Sequence, residues 1–353
     1  MTTLKAIAKH VGVSISTVSR VINNDLSRNI HPETKRKVWE AVKELNYKPN
    51  QNAINLVTQK KEVMKKTMKI GCLMQYPQLQ EKNDPYYSPI FFGISKTLFE
   101  HKYQLVFIDS IPESLEESEL YHLINPDTMD GIIIIGNIEE KVISFIKNRI
   151  HYIVALDITE AKEYGISQVD YDRQSASKEA IKHLVNQGHK KIGFIGGGIK
   201  YQSSDLSLEE RFIGYKKALN ELKLEENNEW IINSKWSPSV SYKEMKQILQ
   251  LEKKDRPTAM FCASDSMAIA AMRAVIEQHL KIPEDMAFVG IDNIEMSLYS
   301  NPPLTTIDIP KFEMGSMAVR VLLNQIDGHM FLPSITYLPY QLIIRESSII
   351  NTK

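Results

Sequence analysis

The chain has only two cysteines in 353 residues, which excludes a disulfide-stapled scaffold and a cysteine-built zinc site. Cys72 and Cys262 lie in apolar, strand-like runs, and each reads as a buried structural thiol. Long hydrophobic runs are missing as well. The most apolar short stretch, Ile132 to Ile135, is far below the ~18 residues of a membrane span. The first twenty residues lack the apolar core of a secretory signal, so a cytoplasmic protein with no membrane contact is expected. Catalytic signatures are absent too, with no G-x-S-x-G elbow and no H-E-x-x-H pair. The close pair His183 and His189 is off a same-face metal spacing, and His189 reads as a helix-terminus residue favouring the local dipole. The run FIGGGIKY, with Gly196, Gly197 and Gly198, lacks both the dinucleotide glycine spacing and the Lys-Ser/Thr of a phosphate loop. It reads as a flexible strand exit. No enzyme, metal or cofactor is therefore expected.

Net charge is zero overall but unevenly spread. Residues 1–66 hold 13 Lys/Arg against 5 Asp/Glu, a surplus of +8 that the remaining 287 residues offset. A basic head on an acidic body points to a polyanionic partner for the head alone. Leu4, Ile7, Ala8 and Val11 fall on one helix face, Gly12 marks a tight turn, and Ser14 can cap a second helix. That second helix turns Val18, Val21 and Ile22 inward and shows Ile15, Ser16, Ser19 and Arg20 on its other side. A third helix starts near Pro32, with Val38, Ala41, Val42 and Leu45 as its apolar stripe. Three such helices over 1–46 form a helix-turn-helix, whose second helix can enter a major groove by its N-terminal end. There Ile15 and Ser16 face base edges and Arg20 suits a guanine, while Ser14, Thr17, Ser19 and Asn23 suit phosphates.

The stretch LKAIAKHVGVSISTVSRVIN, followed by PETKRKV and LNYKPN, resembles the DNA-binding signature of the LacI/GalR family of bacterial transcription regulators. The resemblance implies that Ile15 and Ser16 set operator choice, and it adds Thr3 and Tyr47 to the DNA contacts. It also implies that residues 47–66 are a hinge. In the family this stretch becomes helical on DNA and wedges a leucine into the minor groove, here Leu56 beside Ala53. Operator DNA is then pseudo-palindromic duplex bound by a homodimer.

From Lys69 the chain alternates short β-rich runs with helical stretches, in two series. Ile70–Met74, Leu105–Asp109, Ile132–Gly136 and Ile153–Asp157 form the first; Ile192–Gly196, Met260–Ala263 and Phe288–Ile291 form the second. The alternation predicts two doubly wound α/β subdomains with parallel sheets and a ligand cleft at the carboxyl ends of the strands. The resemblance implies a body of periplasmic-binding-protein type over 67–353. Its N-subdomain is expected over about 67–170 plus 308–338, and its C-subdomain over about 171–307 plus 339–353. Chain crossings are expected near Val169–Tyr171, Ile307–Ile309 and Tyr337–Tyr340.

Asp157 and Asp292 end strands, Ser264 and Asp265 follow one at a helix start, and Tyr86 lies in a loop at the cleft mouth. Asp265 reads first as a helix cap. The resemblance brings in Arg211, at the start of RFIGY, as an effector contact, and Trp236 as a stacking aromatic. Together these seven residues suit a small neutral sugar, galactoside-like, through paired hydroxyls and an apolar ring face. A phosphorylated effector is disfavoured, because three acids surround one arginine and no basic cluster is visible. The expected protein is a sugar-operon repressor released from operator by that effector. A regulator whose ligand strengthens DNA binding is the alternative. A transport-type sugar-binding protein would leave the basic head idle, and a sugar-modifying enzyme lacks a catalytic constellation.

Overall fold

The computed structural model describes residues 4–22, 30–45, 66–75, 84–111, 120, 123–159, 161, 163–199, 205–330 and 332–349. The expected contacts Thr3, Asn23, Tyr47, Ala53 and Leu56 lie outside the described residues. The chain divides into two units, 1–65 and 66–353.

In the first unit, α1 (Leu4–Val11), α2 (Ile15–Ile22) and α3 (Pro32–Glu44) close on a small core of Ile7, Ala8, Val18, Val21, Val38 and Ala41. Gly12 takes φ +75° between α1 and α2, a conformation in which a Cβ is strained. Ser14 then starts α2, its Oγ accepting from Thr17 N at 3.1 Å. The same periodicity that buries Val18 and Val21 leaves Ile15, nearly half exposed at 47%, on the outer side of α2 with Ser16.

The second unit has two lobes. Lobe one runs through β1 (Lys69–Gln75), α4 (Tyr87–Glu100), β2 (Gln104–Ile111), β3 (Gly131–Ile135), α5 (Glu140–Lys147), β4 (Tyr152–Leu156) and β5 (Ser167–Tyr171). Lobe two runs through α6 (Arg173–Asn186), β6 (Ile192–Gly196), α7 (Glu210–Glu221), β7 (Ile231–Asn233), α8 (Pro238–Ile248), β8 (Ala259–Cys262), α9 (Asp265–Glu277), β9 (Ala287–Asp292), α10 (Glu295–Tyr299) and β10 (Thr305–Asp308). The chain then returns to lobe one for α11 (Lys311–Ile326) and β11 (Ile335–Leu338), and ends in lobe two with β12 (Gln341–Ile343). Strand orders are β11-β5-β4-β3-β1-β2 and β12-β10-β9-β8-β6-β7. Every neighbouring pair is parallel except β10 with β12. The chain thus passes between lobes after Tyr171, after Asp308 and after Leu338.

Parallel strands buried on both faces need apolar residues at every position, which is why β3 reads GIIII with all five residues buried. Alternation still sorts the faces. Ile133 and Ile135 join Ile70, Cys72 and Val154 on one side, while Ile132 and Ile134 pack with Leu73 and the α5 residues Val142, Ile143 and Ile146 on the other. Both cysteines are buried strand residues, and burial raises the Cys72 thiol to about 12. The return helix α11 crosses α4 so closely that a Cβ at Gly93 would stand 2.1 Å from the Phe312 carbonyl, and one at Gly315 2.1 Å from that of Ile90. Glycine is what permits that approach. Among the described residues no helix is long and apolar enough to cross a membrane, and no group of three or more His, Cys, Asp or Glu could hold a metal.

Candidate functional site

The cleft residues converge at the carboxyl ends of both sheets, where doubly wound folds bind ligands. On the lobe-one wall, Asp84 starts α4, its Oδ1 accepting from Tyr86 N at 2.8 Å and Tyr87 N at 2.9 Å. This Asx turn sets the two phenols side by side, edge to face, with ring centroids 4.8 Å apart. Tyr87 OH donates to Asp157 Oδ2 at 3.5 Å. Tyr86 and Tyr171 each bury a hydroxyl that has no hydrogen-bond partner among the described residues, and burial raises both phenols.

Asp157, at φ +60° just past β4, lines this wall but is not free to meet a ligand alone. Arg173, the first residue of α6, donates through Nη2 to Asp157 Oδ1. The same guanidinium holds Asp170 in a fork, Nε to Oδ1 at 3.1 Å and Nη2 to Oδ2 at 2.9 Å. Burial works against the Arg173 charge, but Asp157 and then Asp170 outweigh it and its pKa is raised. Burial also lifts Asp170 to about 6, against the pull of Arg173. A cation in the first turn of a helix opposes the macrodipole, and these two buried carboxylates are what hold it there.

On the lobe-two wall, Glu209 caps α7, its side chain accepting from Phe212 N at 2.8 Å and from Arg211 Nε at 2.6 Å. The pair fixes the arginine, whose guanidinium carbon lies 4.5 Å from the Trp236 ring centre. Trp236, at φ +62°, donates through Nε1 to Gly198 O at 2.9 Å. A Cβ on Gly197 would meet that indole at 2.6 Å. The triple glycine is thus a buried seat for Trp236, not the flexible exit expected from sequence, because a side chain at Gly197 would take the space the indole fills.

Asp292 ends β9 at φ +114° and is 5% exposed. No hydrogen bond among the described residues ends on its carboxylate, while Lys311 Nζ donates to its main-chain oxygen. Burial and then Asp265 push the Asp292 carboxyl well above its ordinary range, against Arg211 and Lys311.

Two expected effector contacts have other work. The helix cap is Ser264, whose Oγ accepts from Met267 N at 3.3 Å, and not Asp265. Asp265 is wholly buried and accepts from Thr306 Oγ1 at 2.6 Å and Ile294 N at 3.0 Å, tying α9 to β10 and α10. Burial lifts it to about 7. His189 does follow the end of α6, its N donating to Leu184 O at 3.1 Å. It is buried, meets Thr258 Oγ1 at 3.0 Å through Nδ1, and burial followed by His183 lowers its pKa. Sequence also hid two cations near these strand ends: Arg173 and Lys311 are buried, as is Arg211, and charge from Arg173 reaches Arg211 while Arg211 and Lys311 both act on Asp292. Buried acids or main-chain oxygens hold all three, so they do not form an open phosphate cradle. Sequence reasoning placed Tyr87 in the loop at the cleft mouth together with Tyr86, but missed Asp170, Tyr171, Arg173, Glu209 and Lys311 as site residues. The misplaced cation at the start of α6 was the one local signal.

A two-lobed α/β body with polar side chains held at the carboxyl ends of both sheets, on one chain with a helix-turn-helix, defines the class of a DNA regulator with a receptor body. Residues 3–50 match the model for bacterial regulatory proteins of the lacI family, and residues 181–348 match that for a periplasmic binding protein-like domain. The HTH-type transcriptional repressor PurR of Aliivibrio salmonicida is 32% identical, covering 93% of this chain and 94% of its own. PurR of Actinobacillus pleuropneumoniae strain JL03 is 30% identical over 98% of both. Among solved structures, a CelR–cellobiose complex superposes with TM-score 0.71 at 26% identity, covering 98% of this chain and all of that one. A lac repressor dimer bound to operator and the anti-inducer ONPF gives 0.69 at 27%, covering 99% of each. The chain belongs to the LacI family. It is a DNA-binding transcription repressor, not an enzyme.

Proposed function

We propose that this repressor governs a sugar-utilisation operon and is released from operator by a small neutral sugar held between the lobes. The open carboxyl of Asp292, beside the Arg211–Trp236 stack, carries the reading. It offers hydrogen bonds to paired hydroxyls next to a surface for an apolar ring face. The unpartnered hydroxyls of Tyr86 and Tyr171 support it, since an unmet buried hydroxyl costs about 1–3 kcal/mol that a hydroxyl-bearing ligand recovers. In the head, Ile15, Ser16 and Arg20 read bases, with Ser14, Thr17 and Ser19 on phosphates and with Ala53 and Leu56 in the minor groove. A homodimer suits the exposed apolar side chains Phe92 and Phe99 on α4 and Met296, Leu298 and Tyr299 on α10. Such a repressor acts beside the chromosome, in the cytoplasm.

A thermal-shift screen of the full chain over mono- and disaccharides, repeated with a duplex selected from random DNA, tests this. A sugar should raise the melting temperature alone and release the duplex; no response to any sugar removes the sugar reading. Arg20→Ala should cost at least about 1–3 kcal/mol of operator discrimination and leave the sugar response intact. A second reading is favoured by the edge-to-face Tyr86–Tyr87 wall, which suits a planar heterocycle. In that case the ligand tightens DNA binding, and the same titration reverses sign.

A further inference from the structure

The turn after β9 serves the cleft and one inter-lobe passage at once. Asp292 and Asn293 both hold positive φ, 114° and 49°; asparagine adopts the second readily, whereas 114° lies outside the left-handed well and is kept by the surroundings. Asn293 Oδ1 accepts from Arg345 Nη2 at 2.6 Å, and its Nδ2 donates to Asp308 Oδ1 at 3.0 Å. A donor-only guanidinium on one side and a carboxylate on the other fix which way the amide points. Arg345 is itself anchored, Nη1 donating to Ser297 Oγ at 3.0 Å and to Leu304 O at 2.7 Å. Asp308 is the last residue of β10 in lobe two, and Lys311 is the first of α11 in lobe one. Lys311 Nζ reaches back to the Asp292 carbonyl. No hydrogen bond among the described residues ends on the Asp292 carboxyl, while its carbonyl and the neighbouring amide are tied to both ends of one inter-lobe passage.

We propose that the Asp292–Asn293 turn sets the angle between the lobes, with Asn293, Lys311 and Arg345 as its positioning residues, so that whatever binds Asp292 bears directly on the inter-lobe passage at 308–311. The inference rests on the cleft being the ligand site and not on the ligand being a sugar. A ligand that draws on the Asp292 side chain moves the carbonyl held by Lys311 and the amide held by Asp308, which biases one lobe arrangement over another.

The test needs no ligand, so its outcome is independent of the sugar reading. The full chain with Lys141→Cys on α5 and Lys243→Cys on α8 takes spin labels at those exposed sites, since Cys72 and Cys262 are buried. A pulsed dipolar measurement should give one narrow inter-lobe distance. Asn293→Asp keeps the acceptor for Arg345 but sets two carboxylates against each other at Asp308, and should at least double the width. Adding Asp308→Asn restores donor and acceptor with places exchanged, and should narrow it again. A narrow distance in Asn293→Asp, or a broad one that the double exchange leaves broad, overturns the proposal. If Asn293→Asp does not fold, Lys311→Met cuts the other tie and should broaden the distance; a narrow one there is equally fatal. Arg273→Met, which loses only a surface pair with Glu277, must stay narrow.

Discussion

The lobe-one wall of the cleft closes its charges on themselves, whereas the lobe-two wall leaves one open. Asp157 and Asp170 share Arg173 in a buried triad. Across the cleft, Arg211 is bound by Glu209 and backed by Trp236, and no donor among the described residues reaches the Asp292 carboxyl. Both walls stand on the same strand order, so the backbone plan does not decide which side offers a ligand contact. What decides is whether a strand-end acid finds a cation within its own wall. Lobe one offers rigidity and two bare phenols, and lobe two offers a carboxyl of raised pKa.

The comparison breaks most visibly at Arg173. Arg173→Met leaves two buried carboxyls uncompensated and should cost about 3–5 kcal/mol, read as a fall in the urea midpoint of the body transition. A loss under about 1 kcal/mol would mean that the lobe-one wall is not closed. Next comes pH. Asp265 is lifted to about 7, above its ordinary unfolded value, so the folded state holds its proton more tightly. That stability is fully present below about pH 4 and is lost as pH rises through about 7. Between these limits it falls by about 1.4 kcal/mol per pH unit. Asp265→Asn should remove that slope from the difference between variant and parent, measured by denaturant melts from pH 4 to 8. The smallest effect sharpens the picture of the phenols. Tyr171→Phe deletes a buried hydroxyl without a partner and should leave stability unchanged or raise it by up to about 1 kcal/mol, while weakening ligand binding. Lower stability with unchanged ligand affinity would assign that hydroxyl to the core.

Strands such as β3 are legible because four successive isoleucines allow little else in a sheet buried on both faces. By contrast, β5 (SQVDY), β7, β10, β11 and β12 are short or polar enough to pass for loop. Their β character comes from neighbours far along the chain, as when β11 pairs with β5. The same distance in sequence hides the site's partners. Asp157 and Asp292 are visible as strand-end acids, but that one is claimed by Arg173 and the other is open depends on which side chains the fold brings to them. Asp265 shows the limit of local reading. Adjacent Ser264 and Asp265 can each cap α9, and only the donors at Thr306 and Ile294 assign the carboxylate inward.

Both sheets receive an edge strand from the last stretch of the chain, β11 and β12, and lobe one also waits for α11. During synthesis, β1 to β5 therefore emerge long before the helix and strand that finish their layer. A nascent chain stopped near residue 310 would present the bare margins of β5 and β10, ready to pair with another chain. Neither half of the receptor can be whole until the ribosome has passed β11 and β12.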